Sequence, residues 1–429
     1  MRRTLLAVLP LLLLPAPARA QDTTRAPGGV RIGITYAPGT RATVAVVRTA
    51  AAPWLDSVRS ILERDLDQSD RFEIVRRASA LDVQSLIASR AADYVVQVDT
   101  AAGGTRVLAI EVVTGRRVQQ AQLPIAGIAL PGGRRAVHRA ADEIVRGVTG
   151  TPGVAATALL FVRGGRLMAV DADGHGSREV RAAGRPALSP AWSPDARRIA
   201  YTAFVSAGQP IVLQDLATGA REVVPSTEYG LNITPAFAPD GRRLAFAHGT
   251  EAGTDIYVYD VARRCCVQRL TAGRGFADNL SPEWSPDGAR LAFVSNRAGS
   301  PQLYVMAADG TGQEVLGRFD FGATGPTSSP AWSPDGSAIA VHREVGGVPQ
   351  VFVLDLATRS VRQLTGAGRN EDPTWAPDGR HLAFVSDRSG TRELWVVDLE
   401  TGRLRQVTNL GGARLPAWSP RLSNSGGWE

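Results

Sequence analysis

The sequence predicts an α/β N-terminal domain followed by an all-β six-bladed β-propeller closed by the C-terminal strand. Three observations lead there. One Trp-Ser-Pro-Asp-Gly-like segment recurs six times, short alternating apolar runs fill the interval after each copy, and the sixth copy lacks the strands that should follow it. The copies are Ser189-Pro-Ala-Trp192-Ser-Pro-Asp195, Thr234-Pro-Ala-Phe237-Ala-Pro-Asp-Gly241, Ser281-Pro-Glu-Trp284-Ser-Pro-Asp-Gly288, Ser329-Pro-Ala-Trp332-Ser-Pro-Asp-Gly336, Asp372-Pro-Thr-Trp375-Ala-Pro-Asp-Gly379 and Leu415-Pro-Ala-Trp418-Ser-Pro420. Their aromatic positions lie 45, 47, 48, 43 and 43 residues apart, the length of one four-stranded blade.

Within a unit, Pro-Asp-Gly after the aromatic strand is a turn, in which Pro fixes φ and Gly supplies the left-handed residue. An alternating strand follows, such as Leu291–Ser295 or Leu382–Ser386, then a loop of the type Asn296-Arg297 or Asp387-Arg388. A third strand and a short fourth complete the blade. Because an aromatic residue, Trp or Phe, sits at the same place in every unit, packing between neighbouring blades explains it better than a stacking platform for a ligand.

Trp418 has no second, third or fourth strand after it, whereas residues 158–182 contain three strands without an aromatic first one. The C-terminal strand therefore completes the first blade and removes the free sheet edges. Strand order then sorts the loops. The Pro-Asp-Gly turns share one face with residues 157 and 420, so the preceding domain attaches there. The loops before each Pro-x-aromatic segment, with Asn296-Arg297 and Asp387-Arg388, form the opposite mouth. His248 and His342 end second strands near that mouth, and the acidic residues Asp278, Glu371 and Asp372 also lie there, the side chains that would hold a cation along the axis.

The basic start Met1-Arg2-Arg3, the apolar run Leu5–Leu14 and Ala18-Arg19-Ala20 have the parts of a cleaved secretory signal. The apolar run is about half the roughly 20 residues that span a bilayer. The expected organisation is a signal peptide at 1–20, an α/β domain at 21–152, the propeller at 153–422 and a tail at 423–429, with no transmembrane segment. The formal charge of +7 falls to +4 without Arg2, Arg3 and Arg19, and no lysine occurs. Arginine alternates with acidic residues without forming a basic block, which disfavours nucleic acid as a partner. The two cysteines, Cys265 and Cys266, are adjacent. Neighbours on a strand point to opposite faces, so free thiols are the favoured reading, with a vicinal disulfide the alternative in an oxidising compartment.

Ahead of the repeats, strands are expected at 30–35, 42–47, 72–75, 94–99, 107–113 and 116–123. Helices are expected from Pro53, with Trp54, Val58, Ile61, Leu62 and Leu66 on one side, after Ser79 as N-cap, and over 133–147. Leu62-Glu-Arg-Asp65-Leu66-Asp-Gln-Ser69-Asp-Arg71-Phe72, Ala92-Asp93-Tyr94-Val95-Val96, Leu108–Gly115, and Ala140-Ala-Asp142-Glu-Ile144 with Thr149-Gly150-Thr-Pro-Gly153 resemble the N-terminal domain of the TolB family. The resemblance, with the propeller behind it and the leader before it, covers the whole mature chain.

That resemblance implies a periplasmic, non-enzymatic component of the Tol–Pal envelope system, a monomer serving outer-membrane integrity and constriction at division. It implies a Pal-like peptidoglycan-associated lipoprotein as partner at the propeller mouth and a TolA-like protein as partner of the N-terminal region. Carried onto this chain, the Pal-contacting positions are Leu231, Thr234 and Leu280, with Asn232 and Ser281 beside them. Leu231 departs from the polar or His residue common in the family.

Enzymatic readings find no motif. Peptidases with such propellers need a Gly-x-Ser-x-Gly nucleophile elbow with Asp and His partners, and no such pentapeptide occurs. His138, His175, His248, His342 and His381 lack the short pairings of a zinc site, and no phosphate loop or dinucleotide fingerprint is present. Asp171-Ala-Asp173-Gly174 has the wrong spacing for an EF-hand and reads as a strand turn. No catalytic residue, metal ligand or cofactor is assigned. The alternative is an exported propeller that binds or cleaves a small ligand or carbohydrate at its axis.

Overall fold

Val44, Ala45, Val46 and Val47 are all buried, so strand β1 (Ala42–Arg48) is covered on both faces, as a central parallel strand is. The computed structural model describes residues 41–76, 83–125, 132–206, 208–225, 227, 230–251, 253–272, 277–316 and 327–422. In it, β1 lies between β2 (Phe72–Ile74) and β3 (Tyr94–Ala101), parallel to both, and β4 (Gly104–Glu111) and β5 (Arg117–Leu123) continue antiparallel. The expected strand at 30–35, the leader, the Ser79 cap and the tail lie outside the described residues.

Pro53 opens helix α1 (Pro53–Gln68), where a missing N–H costs nothing. Leu55, Val58, Ile61, Leu62 and Leu66 recur at three and four residues and are buried, and α1 packs on helix α3 (Gly133–Thr149). Gly150, at φ +83, caps α3 in the left-handed conformation that favours glycine. Helix α2 (Val83–Ser89) places Val83 and Leu86 against Ala45, Val47 and Val95. Trp54 does not join the buried stripe. It is half-buried, with Nε1 donating to Thr105 Oγ1 at 3.2 Å, and Leu55 takes the inward place.

The rest is a ring of six four-stranded antiparallel sheets. Blade one joins Ala413–Trp418 to Ala158–Arg163, Arg166–Asp171 and Arg178–Glu179, so the C-terminal strand closes the ring as the orphan sixth copy predicts. Blades two to six open with Ala187–Trp192, Leu231–Phe237, Asn279–Trp284, Thr327–Trp332 and Asn370–Trp375.

The repeated aromatic residues are buried and link blades. Trp284 packs with Ala236 and Ala245 of blade three, and its Nε1 donates to Ala236 O at 3.2 Å. Trp375 reaches Ala331 O at 3.0 Å, and Trp192 reaches Ala417 O at 3.1 Å. The Ser-Pro-Asp-Gly turns are held from within. The Ser285 hydroxyl bonds Asp287, which also accepts from Ala289 N at 3.0 Å. Those bonds hold the Asp287 carboxyl below the usual carboxylate range. Ala196 occupies the left-handed turn position that glycine fills in the other complete copies, at φ +57.

The α/β layer sits on the Pro-Asp-Gly face, under blades one and six. Asp173 in the turn of blade one accepts Arg64 Nη1 at 2.9 Å and Arg134 Nη2 at 2.6 Å. Arg403 of blade six reaches Asp67 Oδ2 at 2.5 Å and Asp70 Oδ1 at 3.0 Å. Arg405 Nη1 meanwhile donates to Ala172 O at 2.8 Å within the ring. Asp171–Gly174 is thus a strand turn that doubles as a docking point.

One expectation fails at Cys265-Cys266, where the structure joins the adjacent residues in a vicinal disulfide. Strand alternation does not apply there, because Cys266 has φ +65 and the pairing with the neighbouring strand shifts register between Val258 and Asp260. Among the described residues, no helix is long and apolar enough to cross a membrane.

Candidate functional site

In each inner strand, the residue before the proline adopts a left-handed conformation. These are Ser189, Thr234, Ser281, Ser329, Asp372 and Leu415, with φ between +50 and +53. Each coincides with a register shift against the second strand, so six β-bulges turn six side chains toward the axis. Together with the Pro-x-aromatic residues they line a central channel of about 460 Å3.

Four of the five partner-binding positions expected from the sequence remain accessible. Leu231 is 41% exposed at the rim. Thr234 and Ser281 are half-buried in the channel wall, with Ser281 N donating to Thr234 Oγ1 at 3.2 Å, and Leu280 packs partly on the blade-three core. Asn232 is fully buried. Its Nδ2 donates to Gln209 O at 3.1 Å and Thr227 O at 2.9 Å, while Oδ1 lies 2.7 Å from His248 Nδ1, so it staples the rim loop from below.

The further mouth residues divide in the same way. His248 stands edge-on to Tyr257, at 5.3 Å between ring centroids, and burial pushes its pKa down. Arg297 bonds Asn279 Oδ1 at 2.7 Å and lies over Tyr304, and Arg388 bonds Asn370 Oδ1 at 2.7 Å and lies over Trp395. Asn296 bonds Asp278, through Asp278 N at 2.7 Å, and Asp387 accepts Arg369 N at 2.8 Å. These residues brace the loops. Asp372 accepts Ser329 Oγ at 2.9 Å, and its N donates to His342 Nδ1 at 3.1 Å. Glu371 pairs with Arg369 and Arg392 at 3.2 and 3.3 Å.

Three features escaped the sequence reading. The second-third hairpins of blades three and five run eight residues per strand against six in blade four, and so rise on either side of it. Val345 and Val348 lie exposed at the tip of the blade-five hairpin around Gly346-Gly347, a two-residue turn with positive φ at both glycines. That Gly-Gly pair was the available signal.

Second, Glu283 lines the channel where the other blades carry Ala191, Ala236, Ala331, Thr374 and Ala417. No described residue bonds its carboxyl, and burial pushes its pKa up to about 8.

Third, two His–carboxylate clusters lie at the base, Asp65-His138-Asp173 and Asp70-His381-Asp398. Asp173 is matched by Arg64 and Arg134, Asp70 by Arg403 and Asp398 by Arg380, while Asp65 pairs with His138 alone, at 2.7 Å through Oδ2, so both clusters read as ion-pair networks at the junction.

Comparison with known proteins agrees with this architecture. A family model described as the TolB beta propeller domain matches residues 145–321 and 318–425. The Tol-Pal system protein TolB of Methylococcus capsulatus is 35% identical over 197 residues, 41% of this chain and 46% of that protein. The protein of the same name from Xanthomonas oryzae pv. oryzae is 32% identical over 248 residues, 52% of this chain and 54% of that one. The chain thus spans about half the length of the curated relatives it matches. The crystal structure of TolB from Acinetobacter baumannii superposes with a TM-score of 0.76 at 27% identity, covering 89% of this chain and 98% of that one. With six blades closed by the C-terminal strand and the family model matching most of the ring, the chain belongs to the TolB β-propeller family.

Proposed function

We propose that the chain is a non-enzymatic periplasmic scaffold of the Tol–Pal envelope system. It binds a Pal-like lipoprotein at the propeller mouth and a TolA-like protein through its N-terminal region, acts as a monomer, and serves outer-membrane integrity and constriction at division. The matching organisation is a leader at 1–20, the α/β domain at 21–152, the propeller at 153–422 and a tail at 423–429. The observation that carries this reading is a mouth that none of the described residues covers. With the α/β layer on the opposite face, exposed Leu231 and half-buried Leu280 are left beside the channel, between two raised hairpins. A few apolar anchors within a polar rim suit a protein partner. The names of the relatives point to the same system.

The test is affinity for a purified Pal-like lipoprotein domain. Replacing Leu231, Thr234 and Leu280 together by Glu should weaken binding at least 100-fold, since desolvated carboxylates would replace apolar contacts. The triple variant should still capture a TolA-like protein. Unchanged affinity removes the site assignment, and failure of the unmodified chain to bind any Pal-like domain removes the function.

A second reading, an exported propeller that binds or cleaves a small ligand or carbohydrate at its axis, rests on Glu283 in the channel. Native mass spectra of the chain isolated from its own cells would then show a bound molecule that is lost in Glu283→Ala. A bare mass argues against it.

A further inference from the structure

The lower outer corner of blade three combines features that scaffold function does not use. The turn there joins strand Gly253–Asp260 to the outermost strand Cys265–Arg269. Within three positions, Arg264 at φ +55 and Cys266 at φ +65 both occupy the left-handed region that side chains disfavour. The ring closed by the Cys265–Cys266 bond fixes the second of these. Cys266 is exposed and Cys265 half-buried. The α/β layer docks under blades one and six, so blade three, across the ring, presents this corner to solvent.

The surroundings favour sulfur chemistry. The Arg263 and Arg264 side chains, next to the disulfide in sequence, are 75% and 76% exposed, each in a loose, solvent-screened pair with an acid, Asp260 at 3.8 Å and Glu222 at 3.4 Å. Guanidinium groups attract an incoming thiolate and stabilise a departing one. The corner is also tied to its neighbour. Arg264 Nε lies 3.4 Å from Glu222 Oε2 in the outer strand of blade two, and Tyr259 donates to Glu222 Oε1 at 3.2 Å.

We propose that Cys265–Cys266 is a surface thiol–disulfide exchange site that takes a dithiol as its substrate, and that its reduction loosens the lower hairpin of blade three from blade two. A thiolate of the dithiol attacks Sγ of exposed Cys266. The Sγ–Sγ bond breaks, and Cys265 leaves as a thiolate that takes a proton from water. The second thiol of the dithiol, as thiolate, attacks the mixed disulfide, closes the reagent's own disulfide and releases Cys266. Two electrons pass from the dithiol to the protein, and both protein sulfurs end as thiols. Cys266 then has no covalent link holding it left-handed, and its return to ordinary strand geometry shifts Val267 and the adjacent Arg264–Glu222 contact.

The test uses the full oxidised chain without denaturant. Dithiothreitol is added, the reaction is quenched in acid, and alkylated cysteines are counted by mass. Reduction should be complete in the native state, with a rate proportional to dithiol concentration. The Arg263→Glu/Arg264→Glu variant should react about 5-fold more slowly at low salt, and less so at high salt. Amide exchange over 261–269 should quicken in the reduced chain and equally in Cys265→Ser/Cys266→Ser. A rate that saturates at that of global unfolding, or two free thiols in the chain as isolated, overturns the exchange site. Identical amide exchange in the two redox forms overturns the loosening.

Discussion

His381 Nε2 lies 3.3 Å from Asp70 Oδ2, so the second strand of blade six meets the end of α1 through an imidazole sealed between the ring and the α/β layer. Its Nδ1 is 2.6 Å from Asp378, and Asp398, itself bonded by Arg380, approaches Nε2 at 3.5 Å. Burial opposes a charge on this ring, but Asp378, Asp70 and Asp398 outweigh it and push the pKa up to about 9. A histidine raised in the folded state contributes stability that is full below its unfolded pKa, near 6.5, and lost as pH rises through about 9. Against this background, His381→Asn should cost on the order of 2 kcal/mol at pH 6 and much less at pH 9.5. Urea unfolding midpoints of both proteins across that range check it. A constant difference would mean that the imidazole is neutral.

Asp142 makes a second junction. From α3 its carboxylate accepts Ala155 N at 2.7 Å and Ala156 N at 3.0 Å, fixing the segment that leads into the ring. Burial, opposed by these two bonds, pushes its pKa up to about 7. Asp142→Ala leaves one buried and one part-buried N–H group, those of Ala156 and Ala155, without an acceptor and should cost roughly 1–3 kcal/mol. Because the raised pKa favours the protonated folded form, wild-type stability declines as pH rises from about 4 to 7, and the gap to the variant narrows over that range. Denaturant titrations at pH 4.5 and 7.5 read both effects.

The ring was legible because its signals are local. Period-two alternation, Pro-Asp-Gly turns and one aromatic residue per copy specify strands, turns and inter-blade contacts without long-range information. Closure was legible because a missing set of strands at 418 matched an unpaired set at 158–182. What stayed hidden depends on distance or on backbone angle. His381 and Asp70 are 311 positions apart, and nothing near either residue signals the other. Asn232, Arg297 and Arg388 read as rim residues from strand order, yet each side chain turns into its blade to satisfy a buried polar group. Cys265 and Cys266 read as opposed until φ at Cys266 broke the alternation.

Closure itself is testable at Trp418. The indole is buried among Val154, Leu159, Phe161 and Ala383, and its Nε1 donates to Thr157 Oγ1 at 2.8 Å. It joins the last strand both to the first blade strand and to blade six. Trp418→Ala should cost roughly 3–5 kcal/mol, as large aromatic truncations in cores do. The loss should be cooperative, because an opened ring exposes edges in both neighbouring blades. A single thermal transition shifted downward is expected. Two separated transitions would show that blade one unfolds independently of the rest.

Glu283 offers the opposite sign. It is the one carboxyl among the residues at this level of the channel, where the other blades carry alanine or threonine, and burial pushes its pKa up to about 8. Ionisation is therefore harder in the folded chain than in the unfolded one. The folded state is penalised progressively as pH rises from about 4.5 to about 8, and not below that window. Glu283→Ala restores the residue found in four other blades and removes the penalty. Glu283 is half-buried and not sealed in the channel wall, so solvent screening reduces the gain to about 1 kcal/mol at pH 8 and near zero at pH 4.5. Paired unfolding curves at the two pH values decide it. A gain at pH 4.5 as well would trace the effect to packing, and a loss at pH 8 would show that the carboxylate has a bound partner in the channel.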